Sequence, residues 1–204
     1  KSIICHLLIS ASVSICFFSI SSPQAFALSG ADFAVYNDSI AGSYSGTWSE
    51  GVTAVKNMLS HQGFTYEEIT YNDLNSSTQD FSSLYKAIIV PGGFSYYYNY
   101  WISKAGKERI RSFVNNGGGY LGICAGAFFA IDKVVWEDVT YDDTSYQNSY
   151  GELSAFDLNL VSVTGTGPIT KIADWNTTHW NMTTIDFSSS NILSKYKTAP
   201  FSED

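Results

Sequence analysis

The chain has 204 residues, 45% hydrophobic and 16% aromatic, the size and composition of one globular domain with a real core. Its 19 acidic and 11 basic residues give a net charge of −8, and the lysines and arginines are scattered, so a nucleic-acid-binding face is not expected. The acidic residues Glu137, Asp138, Asp142 and Asp143 lack calcium-loop spacing, and neither a metal nor a cofactor is expected.

The first element in chain order reads as an export signal. Lys1 precedes an apolar run from Ile3 to Ile20, and Ala25-Phe26-Ala27 supplies a small-x-small cleavage site. Serines dilute the run, which favours a cleaved signal over residues 1–27 rather than a membrane anchor. The exported domain then spans residues 28–204, periplasmic or secreted, with no further span for a membrane. Cys5 and Cys16 leave with the signal, so Cys124 is the only thiol of the mature chain and no intramolecular disulfide can form. The sequons at Asn37, Asn75, Asn176 and Asn181 matter only in a eukaryotic secretory route.

Ala31 to Tyr36 predicts a strand, and Asn37 to Thr47 a polar loop. Val52, Val55, Met58 and Leu59 lie on one helical face of Trp48 to His61, with His61 a favourable charge at the helix C-terminus. Phe64 to Thr70 predicts a second strand, and Asn72 to Asp80 a polar connection. Lys86 to Val90 reads as a buried parallel strand closed by Pro91-Gly92-Gly93. Gly106 to Val114 predicts a helix with Ile110, Phe113 and Val114 on one side and charges on the other. A buried strand over Gly119 to Ile123 and a helix over Ala125 to Ile131 follow. Beyond Lys133 the pattern weakens, with strand-like runs at Leu158 to Val163 and Ile192 to Tyr196.

Strands alternating with helices predict an α/β, doubly wound sandwich with a mostly parallel sheet. Ligands in such sheets lie beyond the carboxyl ends of the strands, which directs attention to the loops after Tyr36, Val90 and Ile123.

Gly122-Ile123-Cys124-Ala125-Gly126 is the thiol counterpart of a nucleophile elbow, a sharp strand-to-helix turn whose neighbours must be tiny. A thiol at a helix start meets unpaired N–H groups that favour the thiolate. The backbone N–H of Ala125 with one from Gly92 or Gly93 could hold an oxyanion on a substrate carbonyl. The alternative is a buried structural cysteine with glycines for close packing. Downstream, His179 is the candidate base, although between Trp175 and Trp180 it equally suits a packed or surface histidine. Tyr96, Tyr97, Tyr98, Tyr100 and Trp101 follow the Pro-Gly-Gly loop and suit either an aromatic substrate platform or cover for the sheet edge.

Ala87 to Gly93, Gly106 to Val114 and Gly117 to Phe128 together resemble the biotin-protein ligase N-terminal domain family, within the class I glutamine amidotransferase-like superfamily. Val35-Tyr36-Asn37 and the loop through Thr47 are similar to that family's opening strand and loop. The resemblance implies a flavodoxin-like three-layer sandwich, with Cys124 at the nucleophile position and Gly92 and Gly93 in the oxyanion loop. It does not imply biotin ligation, whose chemistry resides in a separate catalytic domain. It implies a histidine and a glutamate near the C-terminus, but no His-x-Glu follows Cys124: either the sequence is truncated before the base, which its start without methionine favours, or this member lacks one. In the related intracellular protease and deglycase superfamily a glutamate near Glu50 partners the elbow cysteine; the alternative for Glu50 is a favourable charge at the helix start. The expected activity is thiol-dependent hydrolysis or amide transfer on a small-molecule or peptide amide. The alternatives are a small-ligand-binding domain without catalysis and a deglycase-like enzyme using Glu50.

Overall fold

A computed structural model describes residues 27–141, 146–154 and 158–171. Residues 1–26 of the expected export signal, His179, the run Ile192 to Tyr196, and Asn176, Asn181, Asp142 and Asp143 lie outside the described residues. No helix among the described residues is long and apolar enough to cross a membrane.

The elements that build the site are β1 (Phe33–Tyr36), a 3-10 segment (Ser39–Tyr44), α1 (Ser49–His61), β2 (Tyr66–Ile69), α2 (Tyr71–Ser76), α3 (Phe81–Leu84) and β3 (Ala87–Val90). They continue with α4 (Ser95–Trp101), α5 (Lys104–Asn115), β4 (Gly119–Gly122) and α6 (Ala125–Ala130). The strands form an all-parallel sheet in the order β2-β1-β3-β4, with Phe33 opposite Tyr66 and Ala87, and Ala87 opposite Gly119. This is a flavodoxin-like order, whose direction reverses between β1 and β3 and leaves a crevice at their carboxyl ends.

Alternation along the strands sorts the core into two layers. Val35 and Ile89 face α1, where Val52, Val55 and Leu59 pack against them. Ala34, Tyr36, Ile69, Ile88 and Val90 face the other way, against Leu74, Phe81, Ile110, Phe113 and Phe129. The result is a three-layer α/β sandwich, as the sequence pattern predicts. Met58 departs from expectation: it is 47% exposed, because the buried stripe of α1 needs only the three residues that reach the sheet. Lys107 also departs, lying 1% exposed on the inner face of α5 with its Nζ donating to the buried Asn99 side chain at 2.6 Å.

Local signals weaker than hydrophobic periodicity account for the unanticipated helices. The stretch from Asn72 expected to be a connection begins inside α2, which is closed by a capping box between Thr70 and Asp73. α3 is capped by the Asp80 carboxylate, which accepts the Ser82 N–H at 2.9 Å. α5 starts two residues before Gly106, where the Ser103 hydroxyl accepts the Gly106 N–H at 3.1 Å. α4 is built mainly from aromatics that favour strands; the burial of Tyr98 and stacking of Trp101 on Tyr71 at 5.1 Å override that preference.

After α6 the chain forms a smaller sheet of β5 (Ile131–Trp136), β6 (Val139–Tyr141) and a later strand, β9 (Val161–Gly167), in the order β6-β5-β9. Between them lies the short hairpin of β7 (Tyr146–Gln147) and β8 (Leu153–Ser154).

Candidate active site

Cys124 sits between β4 and α6 with φ 52° and ψ −111°, a left-handed backbone that non-glycine residues rarely adopt. Its thiol is free and exposed. The neighbouring glycines meet a steric demand. A Cβ on Gly122 would lie 2.4 Å from the Gly126 carbonyl oxygen, and one on Gly126 would lie 2.0 Å from the Val90 carbonyl oxygen. The turn therefore closes only when both positions lack a side chain, and its closure carries Cys124 out past the end of the sheet.

The loop after β3 arrives at the same place. A Cβ built on Gly92 would stand 3.3 Å from the Cys124 Cβ and 3.9 Å from its Sγ. The backbone N–H groups of Gly92, Gly93 and Ala125 reach no acceptor among the described residues. Two chain segments remote in sequence thus meet at one thiol, and both carry backbone donors without an acceptor among the described residues.

The other sequence-selected residues take varied positions. Glu50 opens α1 on the surface; its carboxylate accepts the Ser49 hydroxyl at 3.0 Å, and its own backbone N–H and Ser49 hold it below the ordinary carboxylate range. Among the described residues no hydrogen bond joins the Glu50 carboxylate to Cys124, and no side chain hydrogen-bonds the Cys124 sulfur. His61 lies in the last turn of α1, at the opposite end from Glu50.

Tyr96 and Tyr97 are half-buried in an aromatic group on α4: Tyr96 stacks on Phe94 at 5.7 Å, and Tyr97 meets Phe94 and Tyr44 edge-on. Tyr98 is fully buried and turned inward, its hydroxyl donating to the Pro91 carbonyl at 3.0 Å. Burial first, then the charges of Asp38 and Cys124, push its hydroxyl well above the ordinary tyrosine range. Tyr98 therefore supports the Pro-Gly-Gly loop from beneath, and the exposed ring beside that loop is Phe94, which is 55% exposed.

Several residues of the site give little sign of themselves in the sequence. A cavity of about 500 Å³ lies at the carboxyl end of β1, lined by Asn37, Ser45, Thr47, Trp48, Glu50 and Lys56 among others. Trp48 is 53% exposed, and its backbone N–H donates to the Gly92 carbonyl at 3.2 Å, so cavity and thiol flank the same glycine. Lys56 and the Asn37 amide both hold Glu68, Asn37 at 2.6 Å. Burial raises the Glu68 carboxyl, but bonds from Lys56 and Asn37 outweigh it and the group lies below its ordinary range. Among the described residues no group of three or more His, Cys, Asp or Glu side chains is placed to hold a metal ion. In the sequence this cavity is marked by the polar loop after β1, at the carboxyl end of a strand, and by Glu50.

A protein of Chlamydia muridarum (strain MoPn / Nigg), described as uncharacterized, is 45% identical over 42 residues, which is 21% of this chain and 16% of that protein. A crystal structure of a putative peptidase E from Listeria monocytogenes EGD-e superposes with a TM-score of 0.45 at 19% identity, over 67% of this chain and 66% of that one. A β-galactosidase from Bifidobacterium adolescentis gives 0.33 at 16% identity, over 46% of this chain and 40% of that one. The chain thus spans less than two thirds of each of these proteins. The family described as biotin-protein ligase, N terminal, matches residues 32–149, more than half of the chain, from β1 through the elbow to the hairpin region. On that match the chain belongs to the biotin-protein ligase N-terminal family.

Proposed function

We propose that this is an exported, thiol-dependent acyl-transfer domain in which Cys124 attacks the carbonyl carbon of a small-molecule or peptide amide. The observation that supports it is the left-handed backbone of Cys124, locked between Gly122 and Gly126 and set against Gly92. In the reaction the Cys124 sulfur forms a bond to the carbonyl carbon, and the carbonyl oxygen takes the negative charge toward the N–H groups of Ala125 and Gly92 or Gly93. Collapse breaks the C–N bond and expels the amine, which takes up the proton given up by the Cys124 thiol, and the resulting thioester is cleaved by water or a second amine. The cavity beside Trp48 and Glu50 would receive the part of the substrate on the far side of the carbonyl. Export rests on the sequence pattern of residues 1–27.

The test uses an activated ester, p-nitrophenyl acetate. The wild-type protein is expected to release a stoichiometric burst of p-nitrophenolate and to carry one acetyl group on the peptide containing Cys124, with both signals absent in Cys124→Ala. Equal behaviour of wild type and Cys124→Ala would overturn the reading and favour a domain that uses its cleft for binding alone.

A further inference from the structure

Asp38 lies two residues past β1, in the loop whose sequence shows no periodicity, and it is completely buried. A buried carboxylate is costly unless its lone pairs are taken up by donors. Here four donors converge on it. Its Oδ1 accepts the Thr47 N–H at 2.8 Å, the Thr47 hydroxyl at 2.7 Å and the Ser45 hydroxyl at 2.6 Å, while Oδ2 accepts the Gly46 N–H at 2.7 Å. One side chain thereby sets the backbone of Gly46 and Thr47.

Those two residues in turn carry the loop after β3. Thr47 and Gly93 form an antiparallel bridge, flanked by bonds from the Phe94 N–H to the Gly46 carbonyl at 2.7 Å and from the Trp48 N–H to the Gly92 carbonyl at 3.2 Å. The approach is as close as backbones allow: a Cβ on Gly93 would lie 1.8 Å from the Gly46 carbonyl oxygen. Gly46 cannot retreat, because a Cβ on it would already meet the Tyr98 ring at 2.6 Å and Asp38 Oδ2 at 3.0 Å. A displacement of Gly46 therefore becomes a displacement of Gly92 and Gly93 beside Cys124.

We infer that Asp38 is a positioning residue for the oxyanion loop: its carboxylate fixes the Gly46-Thr47 turn, and that turn fixes where the Gly92 and Gly93 N–H groups point. This rests on the acyl-transfer reading for its catalytic consequence, though not for its structural one. The consequence follows from charge development. An oxyanion needs donors within about 3 Å of its final position, and loss of one such donor lowers turnover on the order of 10²-fold. Alkylation of the thiol by iodoacetamide forms no oxyanion and has no such requirement.

The test variant is Asp38→Asn, which keeps the shape but presents an amide NH2 where one of the two backbone N–H groups needs an acceptor. The control is Asp32→Asn at the opposite end of β1, where the carboxylate takes the Thr65 N–H at 2.9 Å and the Lys86 ammonium at 2.6 Å. Amide hydrogen exchange is read first: in Asp38→Asn the Phe94 and Trp48 N–H groups are expected to lose protection while the β1 and β3 amides keep theirs, and Asp32→Asn leaves Phe94 and Trp48 protected. Acetylation by p-nitrophenyl acetate is then expected to fall about 10²-fold in Asp38→Asn at an unchanged iodoacetamide rate. Unchanged protection at Phe94 and Trp48, or acetylation and alkylation falling together, would overturn the positioning role. If wild type itself fails to acetylate while the exchange pattern holds, the acyl-transfer reading falls and the structural role of Asp38 stands.

Discussion

Alanine at Gly126 sets two physical effects of opposite sign against each other. Gly126 lies in the first turn of α6, and helix propensity alone favours alanine over glycine by about 1 kcal/mol. The structure points the other way, since the new methyl would sit 2.0 Å from the Val90 carbonyl oxygen, 2.8 Å from its carbon and 3.0 Å from its Cβ. Backbone cannot rotate away as a side chain can, so β3 or α6 must shift by more than an ångström, and overpacking of this kind costs about 1 to 3 kcal/mol or more. Taking about 3 against about 1, the expected net loss is about 2 kcal/mol, a fall in Tm of about 4 to 8 °C for a domain of this size. Gly51→Ala supplies the internal comparison, because it makes the same chemical change inside α1. Its methyl would meet the Gly92 oxygen at 3.8 Å, ordinary contact, and propensity should win, raising Tm by about 2 to 4 °C. Calorimetric scans of the purified proteins at pH 7 check both shifts. A Gly126→Ala protein as stable as wild type would refute the claim that the elbow closes only over glycine.

Two further outcomes follow from local structure. Strain at Cys124 should be relieved by the one residue at home in that conformation, so Cys124→Gly is expected to unfold at higher urea than Cys124→Ala, by about 1 kcal/mol; the reverse order would show that the left-handed turn costs nothing. Glu67 is raised by burial, but the Tyr85 hydroxyl, the Ser29 and Gly30 N–H groups and the Ser29 hydroxyl outweigh that and hold it below its ordinary range. A carboxyl depressed in the folded state contributes stability above its unfolded pKa of about 4.3 and loses it as pH falls through the folded value. Glu67→Gln should therefore be less stable than wild type at pH 7, with the gap in urea midpoint closing toward pH 3; a gap independent of pH would refute the assignment.

Much of the frame was legible because its signals are short-ranged. Burial on both faces makes β3 an unbroken apolar run, and the α1 stripe reads out as Val52, Val55 and Leu59 because helical period and core contact coincide there. Met58 and Lys107 show the limit of that coincidence. Periodicity says which side of a helix faces inward, but the neighbouring layer decides how wide the buried stripe is and whether a polar partner such as Asn99 waits inside it. α2, α3 and α4 carry no helical periodicity in the sequence, because their cues are single caps or contacts made elsewhere in the chain, as when Trp101 stacks on Tyr71. In the site, the tyrosines after Gly93 were legible as a group but not as individuals. Only the packing reveals that Tyr98 points into the core while Phe94 faces solvent.

By itself the sequence determined the Gly122 side of the elbow, whereas the demand for glycine at Gly126 comes from Val90 on β3. Gly122, Cys124 and Gly126 are close neighbours along the chain, and the clash that excludes a side chain at Gly122 is with the backbone of Gly126 and Ala127. What only the tertiary structure decided is what surrounds the thiol: that the polar loop after β1 folds around a buried Asp38, and that its Gly46-Thr47 turn locks against Gly93. The carboxylate's donors are local, but its burial and its grip on the Pro-Gly-Gly loop depend on segments more than forty residues apart meeting at one end of the sheet. A loop of serines, threonines and glycines carries no pattern that names its partner, because backbone hydrogen bonds are indifferent to side-chain identity.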